Sequence, residues 1–480
     1  MKRDGFTTSE VIDATGASHR AGEGSAAPAT FAAVSTDTRS LSEGQLFVAL
    51  EGERFDGHDF LATAAQGGAT GAVVRAGHPK LADAPSALSL FLVPDTERAL
   101  GDLARHHRRR FAGLPLVAIT GSNGKTTTRA LTAAALGASL GAGHATTGNL
   151  NNLIGVPLTL FSLGEAHAFS VVEMGMNAPG EIARLTEIAE PTLGLVTNAA
   201  GVHLEGLGSL EGVARAKAEL YQGLPAGAVA LANADDALLL PLAREAARTR
   251  GLALQTFGRA ADADLRLLEV ETLAGGRQRV TVRVGGAETL TFELGLLGSH
   301  NALNACAALA VARALGADLA AAAVALGAVE PVGRRLRRTT TRGGAILLDD
   351  CYNANLVSMG AALQTATALA ALTPGGGGRV FAALGDMLEL GPHAEAHHRE
   401  LGALAARAGL EGLVAFGPLS ASTAAAAREG GLEACQHTEE PAEAAAALGA
   451  AREGDVVLVK GSRGMRMERI VALLEEEVSA

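Results

Sequence analysis

The chain has 480 residues, more than a single hydrophobic core usually serves, so two to four domains are expected. Hydrophobic residues make up 48 % and charged residues 19 %, a globular composition, and the formal charge of −11 argues against a nucleic-acid partner. The two basic runs, 108–110 and 334–338, are not interleaved with aromatics, and no Trp is present to build stacking platforms.

Three cysteines (Cys306, Cys351, Cys435) lie far apart. They exclude a disulfide framework or zinc spacing and fit a reducing compartment. The first residues hold no apolar run typical of a secretory signal, and nothing approaches the roughly 18 apolar residues of a membrane span. Cytoplasmic location is the expectation.

In chain order, residues 45–50 and 71–74 read as short strands between Gly- and Asp-rich turns. Residues 20–30, rich in Gly, Ala and Ser, read as a loop of unexplained length. A charged helix is expected over 96–111, ending at Gly113 and Pro115. From residue 116 apolar strand-length runs (116–119, 169–172, 193–196) alternate with Ala-rich helical stretches, the rhythm of parallel α/β units. A β-rich insertion follows over 265–294, then a helix over about 299–315. A second boundary is expected near 330–333. Four further runs (345–348, 380–384, 413–416, 456–459) end in polar clusters, where open parallel sheets bind ligands. Three poly-Ala segments (320–323, 424–427, 444–447) read as helix filler, and 375–378 as a flexible loop.

The strongest chemical signal is Thr120, Gly121, Ser122, Asn123, Gly124, Lys125, Thr126, Thr127 and Thr128 between a strand and a helix. Glycines let backbone N–H groups turn toward phosphate oxygens at a helix N-terminus. Lys125 can neutralise β/γ-phosphate charge, and Thr126 or Thr127 can ligate magnesium. Ile119 stands where the full Walker spacing has Gly. Glu173 ends the next strand and can hold magnesium. The 193–196 strand leads to Thr197, Asn198 and His203, a loop His usually solvated but here close to the phosphate edge. Lys217, in a helix over 209–221, is by default a surface Lys.

Together these segments resemble the Mur ligases, which build the peptide of bacterial cell-wall precursors, and most of all the D-alanyl-D-alanine-adding, or MurF, branch. Nearly the whole chain takes part. The resemblance rests on Ser35, Thr36, Asp37, Thr38 and Arg39; on Phe55, Asp56, Gly57 and His58; and on the phosphate loop. It continues through Gly148, Asn149, Leu150, Asn151 and Asn152, then Val172 to Gly175, and His300, Asn301 and Asn304. The last segments are Asp349, Asp350, Cys351, Tyr352, Asn353, Ala354 and Asn355, then 384–391, and Lys460, Gly461, Ser462 and Arg463.

The resemblance implies an α/β fold of three domains. They are a small N-terminal UDP-binding α/β domain (1–112), a central phosphate-loop ATPase domain with a mostly parallel sheet (113–330), and a C-terminal Rossmann-like α/β domain (331–480). It implies a monomeric, ATP-dependent ligase joining D-Ala-D-Ala to UDP-N-acetylmuramoyl-tripeptide through an acyl phosphate. Such chemistry needs positioning and charge stabilisation rather than an enzyme nucleophile, so Cys351 is not expected to react.

By the same resemblance, ATP contacts Thr120 to Thr127, Asn301, Asp350 and Arg335 or its neighbour Arg334. Mg2+ is held by Thr126 or Thr127, Glu173, His203 and a carbamylated Lys217. Ser35, Asp37, Thr38, Arg39, Asp56, Gly57 and His58 hold the UDP-sugar, and Asn149, Asn151 and Asn152 the muramoyl peptide. Asn353 and Asn355 border the dipeptide. Cys351 replaces the Ser usual at its position. Rivals are the sibling ligase adding the third amino acid, whose Asp-Asn-Pro-Arg-type segment is missing, a folylpolyglutamate synthetase, and a non-enzymatic nucleotide switch.

Overall fold

A computed structural model describes residues 5–22, 30–52, 54–201, 204–273, 275–373 and 377–475. Its strands build sheets of five, nine and six strands and one two-stranded ribbon.

The five-stranded sheet runs Ser18–Arg20, Ser89–Val93, Gly71–Arg75, Leu46–Val48, Val34–Ser35, with only the first pair antiparallel. Phe6, Phe31, Phe91, Leu100 and Leu103 form the core on one face. The stretch 20–30 starts at the end of one strand and finishes in another, Thr30–Phe31, which pairs with Phe6–Thr7. A loop reading misses both because such short strands are fixed by distant partners rather than by local propensity. Residues 23–29 lie outside the described residues.

The helix Thr96–Arg109 opens with Asp95 accepting from Arg98 N at 2.9 Å and leads into the central sheet. Both basic runs are spent inside the molecule. Arg108 is buried, donating to Ala189 O at 3.1 Å and Leu114 O at 3.0 Å. Arg109 pairs with Glu190 at 2.6 Å and Arg110 with Glu10 at 3.0 Å.

The nine-stranded sheet has the order Glu288–Leu294, Gln278–Gly285, Leu265–Thr272, Ala253–Gly258, Val229–Asn233, Leu193–Val196, Leu116–Thr120, Phe169–Glu173, Gly143–Ala145. Seven strands are parallel; the expected β-rich insertion over 265–294 is three strands of this same sheet, Leu265–Thr272 parallel to its neighbour Ala253–Gly258 and the two after it joined by antiparallel pairing. Both faces of the parallel part are covered, which is why its strands read as unbroken apolar runs. Val117 and Ile119 pack under helices Lys125–Leu140 and Ser299–Ala314, while Leu116 and Ala118 pack under Glu181–Ala189 and Leu210–Gly223.

The six-stranded sheet runs Arg337–Thr340, Ile346–Asp350, Val456–Lys460, Val380–Gly385, Gly412–Phe416, Cys435–Thr438, parallel after the first pair. All three poly-Ala segments lie in helices, Leu319–Leu326, Ala421–Glu429 and Pro441–Leu448. Strand Val456–Lys460 returns between two earlier strands, so Lys460 stands in register beside both Asp350 and Leu384. One apolar cluster joins this unit to the central one: Ala199, Leu207 and Val213 pack with Met387, Leu390 and Leu336. The carboxyl edge of the third sheet therefore faces the phosphate loop.

Candidate active site

The loop between Thr120 and Lys125 is shaped by two glycines in the left-handed region, Gly121 at φ 148° and Gly124 at φ 83°. A Cβ on Gly121 would run into Thr197 Oγ1, and one on Gly124 would stand 2.5 Å from Asn304 Oδ1. The end of the adjacent strand clamps the turn. Ser122 N donates to Asn198 O at 2.9 Å, Asn123 N to Asn198 Oδ1 at 3.0 Å, and Thr197 Oγ1 to Asn123 O at 2.6 Å. Lys125 curls back over the loop, its Nζ donating to Gly121 O at 2.7 Å. Burial lowers the pKa of this ammonium and Arg335 adds to the effect, with Glu173 opposing.

Glu173 is the next convergence point, 2 % exposed. Its Oε1 accepts from Thr126 Oγ1 at 3.2 Å and from Asn151 Nδ2 at 2.9 Å. Its buried Oε2 accepts no hydrogen bond among the described residues, although Arg129 Nε stands 3.6 Å away. Of the two threonines left open by the sequence, Thr126 is the one joined to Glu173. The same hydroxyl accepts from Arg335 Nη2 at 3.0 Å, and the Arg335 guanidinium lies 3.6 Å above the Tyr352 ring. Arg334 turns away to Asp349, 2.6 Å distant.

Lys217 is 2 % exposed on helix Leu210–Gly223, which Ser209 caps by accepting from Gly212 N. It is therefore not a surface Lys. Burial drives its pKa well down, and neighbouring Lys125 pushes the same way; no carboxylate pairs with it among the described residues. His203 lies outside the described residues.

Asn301 donates to Leu297 O at 2.7 Å and accepts from Asn304 at 3.0 Å. Asp350 pairs with Lys460 at 2.7 Å and accepts from Leu336 N at 3.2 Å, with Leu336 held at φ 52°. Burial raises the Asp350 pKa against the pull of Lys460. Asn355 and Asn123 exchange amide hydrogen bonds of 2.6 Å and 3.4 Å across the inter-unit cleft. Asn353 offers its carbonyl to Lys460 at 2.8 Å.

The remaining expected residues stand apart from the phosphate loop. Asn152 accepts from Gly155 N at 2.8 Å in the turn that leads into the helix Gly155–Phe161, and Asn149 is exposed. Ser35 and Thr38 are half-buried in the turn that carries Asp37, whose carboxylate is held down to about 2 by hydrogen bonds from Arg39. Gly57 opens a short helix beside Asp56, whose carboxylate accepts from His58 Nδ1 at 2.7 Å and His78 Nε2 at 2.9 Å. Glu51, His58 and His78 lie close enough together for a cation. However, His58 Nε2 accepts from Arg75 N and His78 Nδ1 from Lys80 N. Each ring then carries its proton toward Asp56 and keeps no free lone pair for a metal.

The sequence reading named Asn304, Tyr352 and Lys460 only as parts of the resembling segments, with no role of their own, and it did not name Arg129 or His78. Arg129 had a signal, being four residues after Lys125 on one helix face; His78 had none.

A glycine-shaped loop closed on a half-buried lysine, beside a strand-end carboxylate, defines a phosphate-loop nucleotide-binding α/β protein. The chain matches the Mur ligase middle domain over residues 119–312, the Mur ligase glutamate ligase domain over 334–463, and the Mur ligase family catalytic domain over 30–108. It is 36 % identical to the UDP-N-acetylmuramoyl-tripeptide–D-alanyl-D-alanine ligase of Bacillus subtilis (strain 168), covering 93 % of this chain and 94 % of that one. A MurF structure from Acinetobacter baumannii superposes with a TM-score of 0.86 at 30 % identity over 98 % of both chains. The MurF ligase of Thermotoga maritima in complex with ADP gives 0.76 at 28 % identity, covering 92 % of this chain and 96 % of that one. The chain belongs to the Mur ligase family.

Proposed function

We propose that this chain is the ATP-dependent ligase that joins D-alanyl-D-alanine to UDP-N-acetylmuramoyl-tripeptide in peptidoglycan precursor synthesis. The observation that carries the reading is the Thr126 hydroxyl, bonded at once to Glu173 and to Arg335. At that atom the phosphate loop, the acidic strand end and the C-terminal unit meet, as coupling ATP to bond formation requires. Near-complete coverage of relatives bearing this activity supports the same reading.

The tripeptide's terminal carboxylate attacks the γ-phosphorus of ATP, releasing ADP and forming an acyl phosphate. The dipeptide amine then adds to the acyl carbon, and phosphate leaves as the amide forms. Backbone N–H groups of Gly124 to Thr126, at the start of the helix, and the Lys125 ammonium carry the phosphate charge. Arg335, stacked on Tyr352, brings a second cation from the C-terminal side. The apolar contact of Val213 and Leu207 with Met387 and Leu390 joins the central and C-terminal units, and closure of the cleft between them would keep water from the acyl phosphate.

The donor set suits magnesium: Thr126 Oγ1 and the unpartnered, buried Glu173 Oε2 are hard oxygen ligands. Bound there, the ion would neutralise charge developing on the transferred phosphoryl group. His203 and a carbamylated Lys217 would complete the metal environment. Burial and Lys125 both favour the neutral amine of Lys217, the form that adds to carbon dioxide, and the resulting anion would offset Lys125.

We assign the UDP-substrate to residues 1–112, ATP mainly to 113–330, and the dipeptide with part of ATP to 331–480. We further assign the chain action as a monomer, in the cytoplasm, where its ATP is available. Phosphate release tests the proposal: it should require UDP-tripeptide and D-Ala-D-Ala together. Hydrolysis indifferent to both would overturn it.

A further inference from the structure

We infer that Arg129 is a positioning residue that holds the Glu173 carboxylate and leaves Oε2 one open lone pair for the metal; this rests on the magnesium reading above. A carboxylate offers about two acceptor sites on each oxygen. Both sites on Glu173 Oε1 are taken, by Thr126 Oγ1 at 3.2 Å and Asn151 Nδ2 at 2.9 Å. The buried Oε2 accepts nothing among the described residues. With one oxygen held and the other untethered, the carboxylate can pivot about Oε1. The direction in which Oε2 meets a metal then needs a further donor to fix it.

Arg129 is placed to be that donor. Thr126 and Arg129 stand three residues apart on helix Lys125–Leu140, hence on one face, and the helix packs over the strand that ends in Glu173. From that face Thr126 reaches Oε1, while Arg129 Nε stands 3.6 Å from Oε2. No other cation forms an ion pair with Glu173 among the described residues.

Arg129 also lacks any other use for its donors. The residue is 6 % exposed, and its Nε and Nη1 are buried without a hydrogen-bond partner among the described residues. Glu173 attracts this cation and Arg335 repels it. A guanidinium buried with unmade hydrogen bonds is costly, and so is a carboxylate oxygen in the same state. Closing the gap to about 2.8 Å makes one charge-assisted hydrogen bond and relieves both. Oε2 then keeps a single lone pair, aimed by three partners on two elements and a loop. Carboxylates that bind metals depend on outer partners of this kind.

Manganese uptake tests this without turnover. The full-length enzyme with ADP is titrated with Mn2+, the free ion being counted by its electron paramagnetic resonance signal. ADP affinity is measured separately in EDTA. Arg129→Met fills the space but removes the donors; it should weaken Mn2+ binding about 10- to 100-fold and leave metal-free ADP binding within about twofold. Arg129→Lys and Arg129→Gln, which keep a donor, should each recover part of the loss, and these two decide the matter if the methionine variant does not fold. In a Glu173→Gln background, with no anion left to hold, Arg129→Met should weaken Mn2+ binding no further. Unchanged or tighter Mn2+ binding in the Arg129 variants would overturn the inference. A matching loss of metal-free ADP binding would mark a phosphate contact instead, and overturn it too. So would a full additional loss in the Glu173→Gln background. A wild type that takes up no Mn2+ with ADP would refute the magnesium reading itself, and the inference with it.

Discussion

Asn355 Nδ2 donates to Asn123 Oδ1 at 2.6 Å, tying the first residue before a helix of the C-terminal unit to the middle of the phosphate loop. Because the backbone of Asn123 is already clamped by Thr197 and Asn198, this amide pair links nucleotide loop and C-terminal unit through rigid parts. Asn355 also caps its own helix, Leu356–Ala370, by accepting from Ser358 N at 2.9 Å. Serine keeps a cap but is too short to reach Asn123. Asn355→Ser should therefore raise the ATP KM about fivefold, the worth of one net hydrogen bond, with little change in melting temperature. Wild-type ATP kinetics in that variant would contradict the link.

Glu173→Gln removes the charge while keeping the size of the side chain that meets Thr126 and Asn151. It should lower kcat by about 100-fold or more and raise the magnesium concentration needed for half-maximal rate. Titration of activity with magnesium checks both. An unchanged magnesium requirement would place the metal elsewhere.

Lys217→Ala should be inactive, with partial recovery on adding small carboxylic acids that stand in for the lost carbamate. Initial rates against acid concentration decide the matter. Wild-type activity without any added acid would remove Lys217 from the site.

His144 gives a pH signature distant from the phosphate loop. It sits on the edge strand Gly143–Ala145, its Nε2 donating to Thr159 O at 3.0 Å and its Nδ1 accepting from Ser170 Oγ at 2.8 Å. Burial, with nearby His167, pushes its pKa down to about 4. The unfolded chain takes up that proton near pH 6.5, so the contribution is full above 6.5 and is lost as pH falls toward 4. Between pH 7.5 and 5 the stability advantage of wild type over His144→Gln should shrink by about 2 kcal/mol. Denaturant unfolding at the two values measures it; a constant difference would mean His144 protonates freely in the fold.

What the sequence disclosed, and what it hid, follows from the range of the interactions. The phosphate loop and Glu173 were legible because each is a local pattern, a strand run followed at once by its polar end. Lys217 was legible only by resemblance, since nothing in its neighbourhood along the chain says that its helix face is buried. The choice between Arg334 and Arg335 could not be read locally. It is made by Asp349, buried in a strand that pairs with Arg337–Thr340 just after them, which takes Arg334 and leaves Arg335 for Thr126. The Asn123–Asn355 pair spans 232 residues and depends on how two units dock. The strands at Ser18–Arg20 and Thr30–Phe31 were hidden for a related reason: their pairing partners, not their own residues, make them strands.

The central claim is that ATP activates the tripeptide carboxylate itself, and oxygen labelling tests it most directly. UDP-N-acetylmuramoyl-tripeptide carrying 18O in its terminal carboxylate is turned over with ATP, magnesium and D-Ala-D-Ala, and the released phosphate is weighed by mass spectrometry. An acyl phosphate requires one labelled oxygen to leave in each phosphate as the amide forms. Product formed with unlabelled phosphate would contradict the account.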